Sequence, residues 1–197
     1  MSGNAGQQLP SVGEACLGTG GDVCIKLPVA LLDYEASSLS DRSYPIEAGW
    51  AIIAADLSIS SGGMLIRPHH RWTDWSEKAQ LIHGITREML FEGGAACREV
   101  AEHLAGIFDT LHGGVLSPDP AYETFWSDRL HEAAGVQRLW TIGSFHAALA
   151  TTLKNADGGD VAEAKRALTS RRPHRAEADA KLFASVLAAA IRQQLRR

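Results

Sequence analysis

The order of strand-like and helix-like segments restricts the fold of this chain more than any other feature. Three short apolar segments come first, at residues 29–35, 46–55 and 63–68, with a polar turn at 37–45 between the first two. Apolar runs of this length that are bounded by turn residues or proline are typical of buried strands. Because the connections are short, we expect consecutive strands to run antiparallel, so the segments predict a three-stranded meander.

Helical segments and short strands alternate over the remainder of the chain. The interval 76–90 has helical periodicity that is interrupted at 83–86, and residues 96–111 predict an amphipathic helix. Asp119 followed by Pro120 marks a helix start, because aspartate is a favourable N-cap and proline fits the first helical position. The other predicted elements are strands at 115–117 and 139–142 and helices at 120–134, at 145–153 and from Pro173 onward. Together with the meander, this alternation predicts a mixed α/β domain.

The chain divides into an N-terminal segment without periodicity and one domain. Residues 1–22 are rich in Gly, Ser, Asn and Gln, which predicts a disordered tail, and residues 23–197 are expected to form a single domain. The chain is 45% apolar and 21% charged, as is ordinary for a soluble globular protein. Its cysteines, Cys16, Cys24 and Cys97, are odd in number and lack metal-ligand spacing, so reduced thiols and a cytoplasmic location are expected.

Charge and hydropathy argue against several classes of function. No apolar run reaches the roughly 20 residues that cross a bilayer, and no secretory signal is recognisable at the N-terminus. The net charge is −4, from 19 basic and 23 acidic residues, which argues against a protein that coats nucleic acid nonspecifically. It does not exclude an enzyme that acts on a nucleic-acid end, because acidic residues around bound cations contribute to this sum.

Acidic residues stand at the end of the first predicted strand and in the last helix. Asp33 and Glu35 are at positions i and i+2, so both side chains lie on one face of the strand, whereas Tyr34 points into the core. Exposed acids at strand ends are common, so this pair alone is weak evidence for a metal site. Asp179 adds to it, because its position three residues before Leu182 brings a carboxylate near the buried stripe of the helix. A carboxylate there needs a cation or a salt-bridge partner.

A histidine stands at the start of the same helix. His174 precedes Asp179 by five residues, and the pKa of an ordinary histidine, about 6.5, lets it accept a proton from water near neutral pH. Carboxylates suit hard cations such as Mg²⁺ or Mn²⁺. Two such ions about 4 Å apart can hold the attacking water and the leaving oxygen in phosphodiester hydrolysis. The two segments therefore indicate a metal-dependent phosphodiesterase.

These motifs and their order resemble those of the DEDDh 3′-5′ exonucleases, which have the ribonuclease H-like fold. Residues 31–36 (Leu-Leu-Asp-Tyr-Glu-Ala) are similar to the first motif of that family, a strand with Asp-x-Glu. Residues 82–86 (Ile-His-Gly-Ile-Thr), together with Leu90, are similar to a segment that follows the third strand in many members. Residues 174–180 match the third motif, in which His-x4-Asp defines the "h" subclass. The resemblance extends over about residues 29–187 and implies a mixed sheet, an antiparallel three-stranded meander plus parallel strands, flanked by helices.

The second motif departs from the family pattern. Members show a His-Asn pair after a strand and then Phe-Asp in the next helix, where the aspartate is a metal ligand. Residues 117–123 of this chain read Ser-Pro-Asp-Pro-Ala-Tyr-Glu, which aligns Glu123 with that ligand and Asp119 with the asparagine. Asp119 already caps the predicted helix, whereas Glu123 lies one turn inside it. Glu123 is therefore the expected third carboxylate, with Asp119 as its substitute.

The resemblance implies a role for each matched residue. Two divalent cations, Mg²⁺ or Mn²⁺, would be bound by Asp33, Glu35, Glu123 and Asp179. His174 would be the general base, and the substrate would be the 3′ end of single-stranded RNA or DNA, releasing nucleoside 5′-monophosphates. The residues expected to face the terminal nucleotide are Ala36, Ser37, Ser38 and His83. For His83 a purely local packing role is the alternative, and the choice between RNA and DNA and between a monomer and a homodimer stays open.

A nonenzymatic protein of the same fold, which binds a nucleic acid or a protein partner, is the alternative function. The glutamate in the second motif and the prolines that precede it are its only support. If Glu123 and Asp119 both point away from Asp33, this alternative gains, whereas four converging carboxylates beside His174 count against it. Arg175 either guides a phosphate backbone or belongs to the surface. A serine hydrolase is not supported, since the sequence has no Gly-x-Ser-x-Gly segment.

Overall fold

The chain folds around a five-stranded mixed sheet. The computed structural model describes residues 15–17, 25–154, 166 and 174–196. The strands of the main sheet are β3 (Val29–Ala36), β4 (Pro45–Ile53), β5 (Ile59–Leu65), β6 (Val115–Ser117) and β7 (Ile142–Ser144). Their order across the sheet is β5-β4-β3-β6-β7. A separate antiparallel pair is formed by β1 (Ala15–Leu17) and β2 (Ile25–Leu27).

The sheet consists of the predicted antiparallel meander and two parallel strands beside it. Strand β4 pairs antiparallel with both β3 and β5. Strand β6 lies parallel to β3, and β7 lies parallel to β6. The predicted mixed sheet is confirmed. Because parallel strands point the same way, the carboxyl ends of β3, β6 and β7 lie at one edge of the sheet.

Helices cover both faces of the sheet, as predicted. They are α1 (Glu77–His83), α2 (Arg87–Gly93), α3 (Cys97–Phe108), α4 (Pro120–Ala134), α5 (Phe145–Thr152) and α6 (Ala176–Leu195). Side-chain oxygens cap four helix starts, those of Ser76, Thr86, Asp119 and Ser144. The predicted interruption at 83–86 is confirmed: Gly84, with a φ of 71°, ends α1 in the left-handed conformation that favours glycine, and α2 follows.

One hydrophobic core lies on each face of the sheet. On one face, Tyr34 and its alternate neighbours in β3 pack with α3 and α4. On the other face, Val29 and Leu31 pack with α5 and α6. Side chains alternate along a strand, so Asp33 and Glu35 continue the series of Val29 and Leu31 and lie on the α6 face. The burial of Tyr34 on the opposite face agrees with the prediction.

Several element bounds differ from those predicted. Strand β5 begins at Ile59 rather than at residue 63, because Ser60–Gly63 pair with β4 although their composition is typical of a loop. Strand β7 is Ile142–Ser144 rather than 139–142, and it ends where Ser144 pairs with Ser117 and caps α5. Helix α6 begins at Ala176, while Pro173, the predicted start, lies outside the described residues.

The predicted tail is described in one short segment. Within residues 1–22, Ala15–Leu17 form β1, and residues 1–14 and 18–22 lie outside the part of the chain that the structure describes. The division into a tail and one domain stays a prediction. Across the described segments, none of the helices has the length and apolar character that crossing a bilayer requires.

Candidate metal centre

The candidate site lies at the edge of the sheet where β3 extends beyond its parallel neighbour. Leu31 pairs with Leu116, and β6 ends one residue later, at Ser117. Asp33 and Glu35 therefore stand past the end of β6, and both side chains are half-buried on the α6 face. Within the described part of the chain, the backbone of β3 has no strand partner on the β6 side at this point, which leaves room for side chains from α4.

Glu123, in the first turn of α4, reaches this edge. The side chain is 4% exposed, and Oε2 has no partner among the described residues. Burial raises the pKa of this carboxyl well above its usual range, and the negative charges of Asp33, Asp119 and Glu35 raise it further. The backbone N–H of Tyr34 favours the charged form of the Glu123 carboxylate and so opposes the rise of its pKa. A buried, unpaired carboxylate oxygen beside other acids is a group that a cation would satisfy.

Asp119 is engaged as the cap of α4. Its Oδ1 accepts a hydrogen bond from the backbone N–H of Tyr122 at 3.4 Å, and its side chain is exposed. The helix start predicted from Asp119 and Pro120 is confirmed. Of the two candidates for the third carboxylate, Glu123 is the one that the structure buries beside Asp33.

Helix α6 brings Asp179 to the site, and His174 immediately precedes the helix. Oxygen and nitrogen atoms of Glu35, His174 and Asp179 that could bind a metal all lie within 4.8 Å of one another. The Nδ1 atom of His174 is 3.7 Å from Oδ2 of Asp179; the histidine side chain is 59% exposed and the aspartate 7%. An exposed imidazole beside two carboxylates can exchange protons with a solvent molecule.

Glu35, His174 and Asp179 therefore form one cluster at this edge. Glu123 lies near enough to Asp33 and Glu35 for their charges to raise its pKa. Burial, together with the charges of Asp179 and Glu47, raises the pKa of Glu35 to about 8. A nearby positive charge would favour the ionised forms of Glu35 and Glu123, whose pKa values are raised. Hard divalent cations prefer such oxygen ligands, so the residues present fit a divalent-metal site.

An ion pair that the sequence analysis did not identify, between the buried Glu47 and the partly exposed Arg175, lies beside these carboxylates. Glu47 of β4 stands directly opposite Glu35 in the sheet and is 4% exposed. It accepts hydrogen bonds from Arg175, through Nε at 3.0 Å and Nη2 at 2.6 Å, and from the backbone N–H of Ala176 at 3.0 Å. Arg175 is thus bonded within the protein. In the sequence, Glu47 itself could have indicated this ion pair, because a charged residue inside an apolar strand needs a partner when it is buried.

The loop after β3 is fixed by Asp74, another residue that the sequence analysis missed. Hydroxyl groups of Ser37, Ser38 and Ser40 donate hydrogen bonds to its carboxylate. Burial alone would raise the pKa of Asp74, but these three bonds lower it. Ser37 is fully buried and both of its backbone polar groups are bonded within the protein. Of the other residues expected to face a nucleotide, two lie in this segment: Ala36 is 8% exposed and Ser38 is half-buried.

His83 is buried at the end of α1, on the side facing the start of α6. Its Nδ1 accepts a hydrogen bond from the backbone N–H of Ile85 at 3.0 Å. The proton of the neutral ring is therefore on Nε2, which has no partner among the described residues. Burial lowers the pKa of His83, and the charged groups that act on it are Glu47, Arg175 and His174. The histidine thus serves the local turn and also lies near the carboxylates.

Solved structures with a similar fold are exonucleases. The nuclease domain of 3′hExo, a DEDDh family member bound to rAMP, matches with a TM-score of 0.64 at 12% identity, covering 84% of this chain and 92% of that chain. Exonuclease I from Methylocaldum szegediense matches with a TM-score of 0.62 at 16% identity, covering 86% of this chain and 41% of that chain. The metal-free E. coli exonuclease I–ssDNA complex gives 0.64 at 12% identity, with coverage of 85% and 40%.

The extent of these matches differs between the two kinds of relative. The chain spans nearly all of the 3′hExo nuclease domain but about two fifths of the exonuclease I chains, 40–41%. No protein-family model matches the sequence, and no curated protein matches it. At 12–16% identity the likeness is one of fold. The chain has the ribonuclease H-like fold of the DEDDh exonucleases, so the fold implied by the motifs is confirmed.

Proposed function

We propose that this chain is a metal-dependent 3′-5′ exonuclease that hydrolyses phosphodiester bonds at the 3′ end of single-stranded nucleic acid and releases nucleoside 5′-monophosphates. The proposal rests on the cluster of Glu35, His174 and Asp179. The buried Glu123, whose pKa is raised by burial and by the charges of Asp33 and Glu35, supports it. The fold shared with exonucleases supports the same class of reaction.

Two divalent cations, Mg²⁺ or Mn²⁺, are the proposed cofactors, and the four carboxylates are their proposed ligands. When bound, such ions lower the pKa of water and compensate the negative charge that develops on the phosphate. Glu35 and Glu123 would bind as carboxylates although burial raises the pKa of both in the metal-free protein. Binding should therefore release protons and become stronger as the pH rises.

His174 is the proposed general base. Its side chain is 59% exposed, and its Nδ1 lies 3.7 Å from Oδ2 of Asp179. The carboxylate of Asp179 can stabilise the imidazolium that forms when the ring accepts a proton from the attacking water. Because the ring is exposed, it can then pass that proton to bulk solvent.

The substrate is proposed to enter beside the loop after β3. The residues proposed to contact the terminal nucleotide are Ala36, Ser38 and His83, and the Nε2–H of His83 has no partner among the described residues. Ser37, which is fully buried and bonded within the protein, would instead hold the loop in place. The complexes of E. coli exonuclease I with single-stranded DNA and with dT13 support a single-stranded substrate. The sugar and the oligomeric state stay open, because recognition of RNA depends on contacts to the 2′-hydroxyl.

A cytoplasmic location belongs to the same proposal. It rests on the expected reduced thiols, of which Cys97 is a buried free cysteine. The alternative of a nonenzymatic binding module has less support, because Glu123 is buried beside Asp33 rather than directed away from it.

Digestion of 5′-labelled single-stranded RNA and DNA tests the proposed function. The wild type would be compared with Asp33→Asn, Glu123→Gln and Asp179→Asn in Mn²⁺, in Mg²⁺ and in EDTA. We expect a ladder of products that shorten from the 3′ end and that EDTA abolishes. Each substitution should lower the rate roughly 100-fold or more, because the bound cations supply several kcal/mol of transition-state stabilisation.

Glu132→Gln is the matched control for Glu123→Gln. Glu132 lies on the same helix but is exposed and outside the site, so this variant should cleave like the wild type. Loss of cleavage in Asp33→Asn but not in Glu123→Gln would transfer the role of third ligand to Asp119. No cleavage of either polymer by the folded wild type with either metal would contradict the exonuclease proposal and favour a binding module.

A further inference from the structure

The start of α6 is attached to the sheet by a residue of another strand. Helix N-termini leave backbone N–H groups without partners, and the side chain of the N-cap residue commonly accepts one of them. The N-cap of α6 is Arg175, whose side chain makes no such bond. Glu47 of β4 supplies the acceptor instead, since its Oε2 accepts the hydrogen bond of the Ala176 N–H at 3.0 Å.

The same carboxylate accepts hydrogen bonds from the side chain of Arg175. The Nη2 atom donates to Oε1 at 2.6 Å, and Nε donates to Oε2 at 3.0 Å. A guanidinium that donates hydrogen bonds to both carboxylate oxygens fixes the orientation of the two groups as well as the distance between them. Glu47 is 4% exposed and the Arg175 side chain is 45% exposed, so solvent screens the ion pair from the arginine side, whereas the bond from Ala176 is buried. Residues 175 and 176 are thereby held in one position relative to β4.

The backbone of α6 also approaches β4 closely at this point. A Cβ atom on Gly49 would lie 2.0 Å from the carbonyl carbon of Ala176, so only glycine permits this contact. Glu47 and Gly49 are at i and i+2 of β4 and share one face. The hydrogen bonds of Glu47 and the contact at Gly49 therefore determine the same distance, that between β4 and the first residue of the helix.

His174 and Asp179, the candidate site residues in this region, lie close to the residues that Glu47 binds. His174 directly precedes Arg175, and the backbone N–H of Asp179 bonds the carbonyl oxygen of Arg175 at 3.0 Å. On the other side, Glu47 is paired across the sheet with Glu35. A shift of about 1 Å in this region would separate His174 and Asp179 from Glu35, and a misplacement of that size can cost about 100-fold in rate.

We propose that Glu47 is a positioning residue: through Arg175 and Ala176 it fixes the start of α6 so that His174 and Asp179 lie against Glu35. It contacts neither substrate nor cation in this role and acts through the helix. The inference rests on the proposed function, but the geometry that it explains can be measured without the reaction.

Glu47→Gln tests the proposal, with Glu177→Gln as the matched control. The first variant keeps the shape of the side chain and loses its charge. The control makes the same change in the first turn of α6 at an exposed residue, which accepts a hydrogen bond from Ser61 at 2.9 Å. The measurements are hydrogen exchange of the amides of residues 176–180 without metal, Mn²⁺ affinity by calorimetry, and kcat and KM on a single-stranded oligomer.

For Glu47→Gln we expect faster amide exchange at the start of α6 and Mn²⁺ affinity roughly 10-fold weaker than in the wild type. The value of kcat should fall roughly 10- to 100-fold with little change in KM, because the substrate contacts are intact. The control should behave like the wild type. Arg175→Lys is a second variant in case Glu47→Gln does not fold. It keeps the positive charge, but an ammonium group does not donate to both carboxylate oxygens as a guanidinium does. The same changes should therefore appear in smaller degree.

Unchanged amide exchange and Mn²⁺ affinity in both variants would overturn the proposal, as would equal losses in Glu177→Gln. A wild type that binds no Mn²⁺ would overturn it as well. If the wild type binds Mn²⁺ but cleaves no substrate, the proposed function fails. Faster exchange and weaker Mn²⁺ binding in Glu47→Gln would then still support the positioning role.

Discussion

Glu123 is proposed to bind a cation, but its buried carboxyl should lower the stability of the metal-free protein. Its carboxyl is buried, Oε2 is unpaired among the described residues, and burial together with Asp33 raises its pKa well above the usual range. Glu123→Gln keeps the size of the side chain and removes the charge that these surroundings disfavour. We expect a higher melting temperature for this variant at pH 8 in EDTA, by roughly 2–4 °C for each kcal/mol gained.

Calorimetry of the metal-free proteins measures this difference. Glu132→Gln, the same substitution on the exposed side of α4, should leave the melting temperature unchanged. A melting temperature of Glu123→Gln equal to or below that of the wild type at pH 8 would contradict the expectation. It would mean that the buried carboxyl is not destabilised by its neighbours.

Spacing along the sequence identified the residues of the site whose side-chain direction follows from local periodicity. The strand period put Asp33 and Glu35 on one face, and the helical period put Asp179 near the buried stripe. Glu47 and Asp74 were not identified, because their partners are distant in sequence: Arg175 is 128 residues from Glu47, and the bonded serines are 34–37 residues from Asp74. No local pattern specifies which buried charge meets which partner.

At the scale of elements, the packing of α6 on β4 depends on Gly49. A Cβ there would lie 2.0 Å from the carbonyl carbon of Ala176, so Gly49→Ala must displace the helix start. We expect this variant to lose about 1–3 kcal/mol of stability, the usual cost of overpacking, and to bind Mn²⁺ more weakly. Gly106→Ala is the control: Gly106 lies within α3 with no atom close to the added Cβ, so the variant should gain about 0.5–1 kcal/mol.

Urea denaturation measures both changes, and wild-type stability of Gly49→Ala would contradict the close approach of α6 to β4.

The same kind of contact explains why the bounds of β5 could not be predicted. Ser60–Gly63 have the composition of a loop, yet they pair with β4. A Cβ at Gly62 would lie 2.7 Å from the ring of Trp50, so the small residues serve the packing of the strand. By contrast, the start of α4 was predicted correctly, because Asp119 and Pro120 act within one turn.

At the scale of the whole molecule, the carboxyls of the candidate site should make stability depend on pH. Burial raises the pKa of Glu35 from an ordinary 4.5 to about 8, so between these values the folded protein binds more protons than the unfolded chain, and stability falls as pH rises. The buried rings of His83 and His131 act in the opposite direction, because burial lowers their pKa below 6.5 and stability is lost as the pH falls through that range. The interval from about pH 6.5 to 8 therefore isolates the carboxyls.

Within that interval we expect the melting temperature to decrease with pH in EDTA, and Glu35→Gln should reduce the slope. Saturating Mn²⁺ should reverse the trend, because the cation binds the ionised carboxylates and not the protonated ones. At a free cation concentration about 100 times the Kd, the gain is about 2.7 kcal/mol, or roughly 5–10 °C for a domain of this size. Calorimetry at pH 6.5, 7.2 and 8 (about even steps across the window) would measure both series. A melting temperature that rises with pH in EDTA, or that Mn²⁺ leaves unchanged at pH 8, would mean that these four acids do not form a cation site.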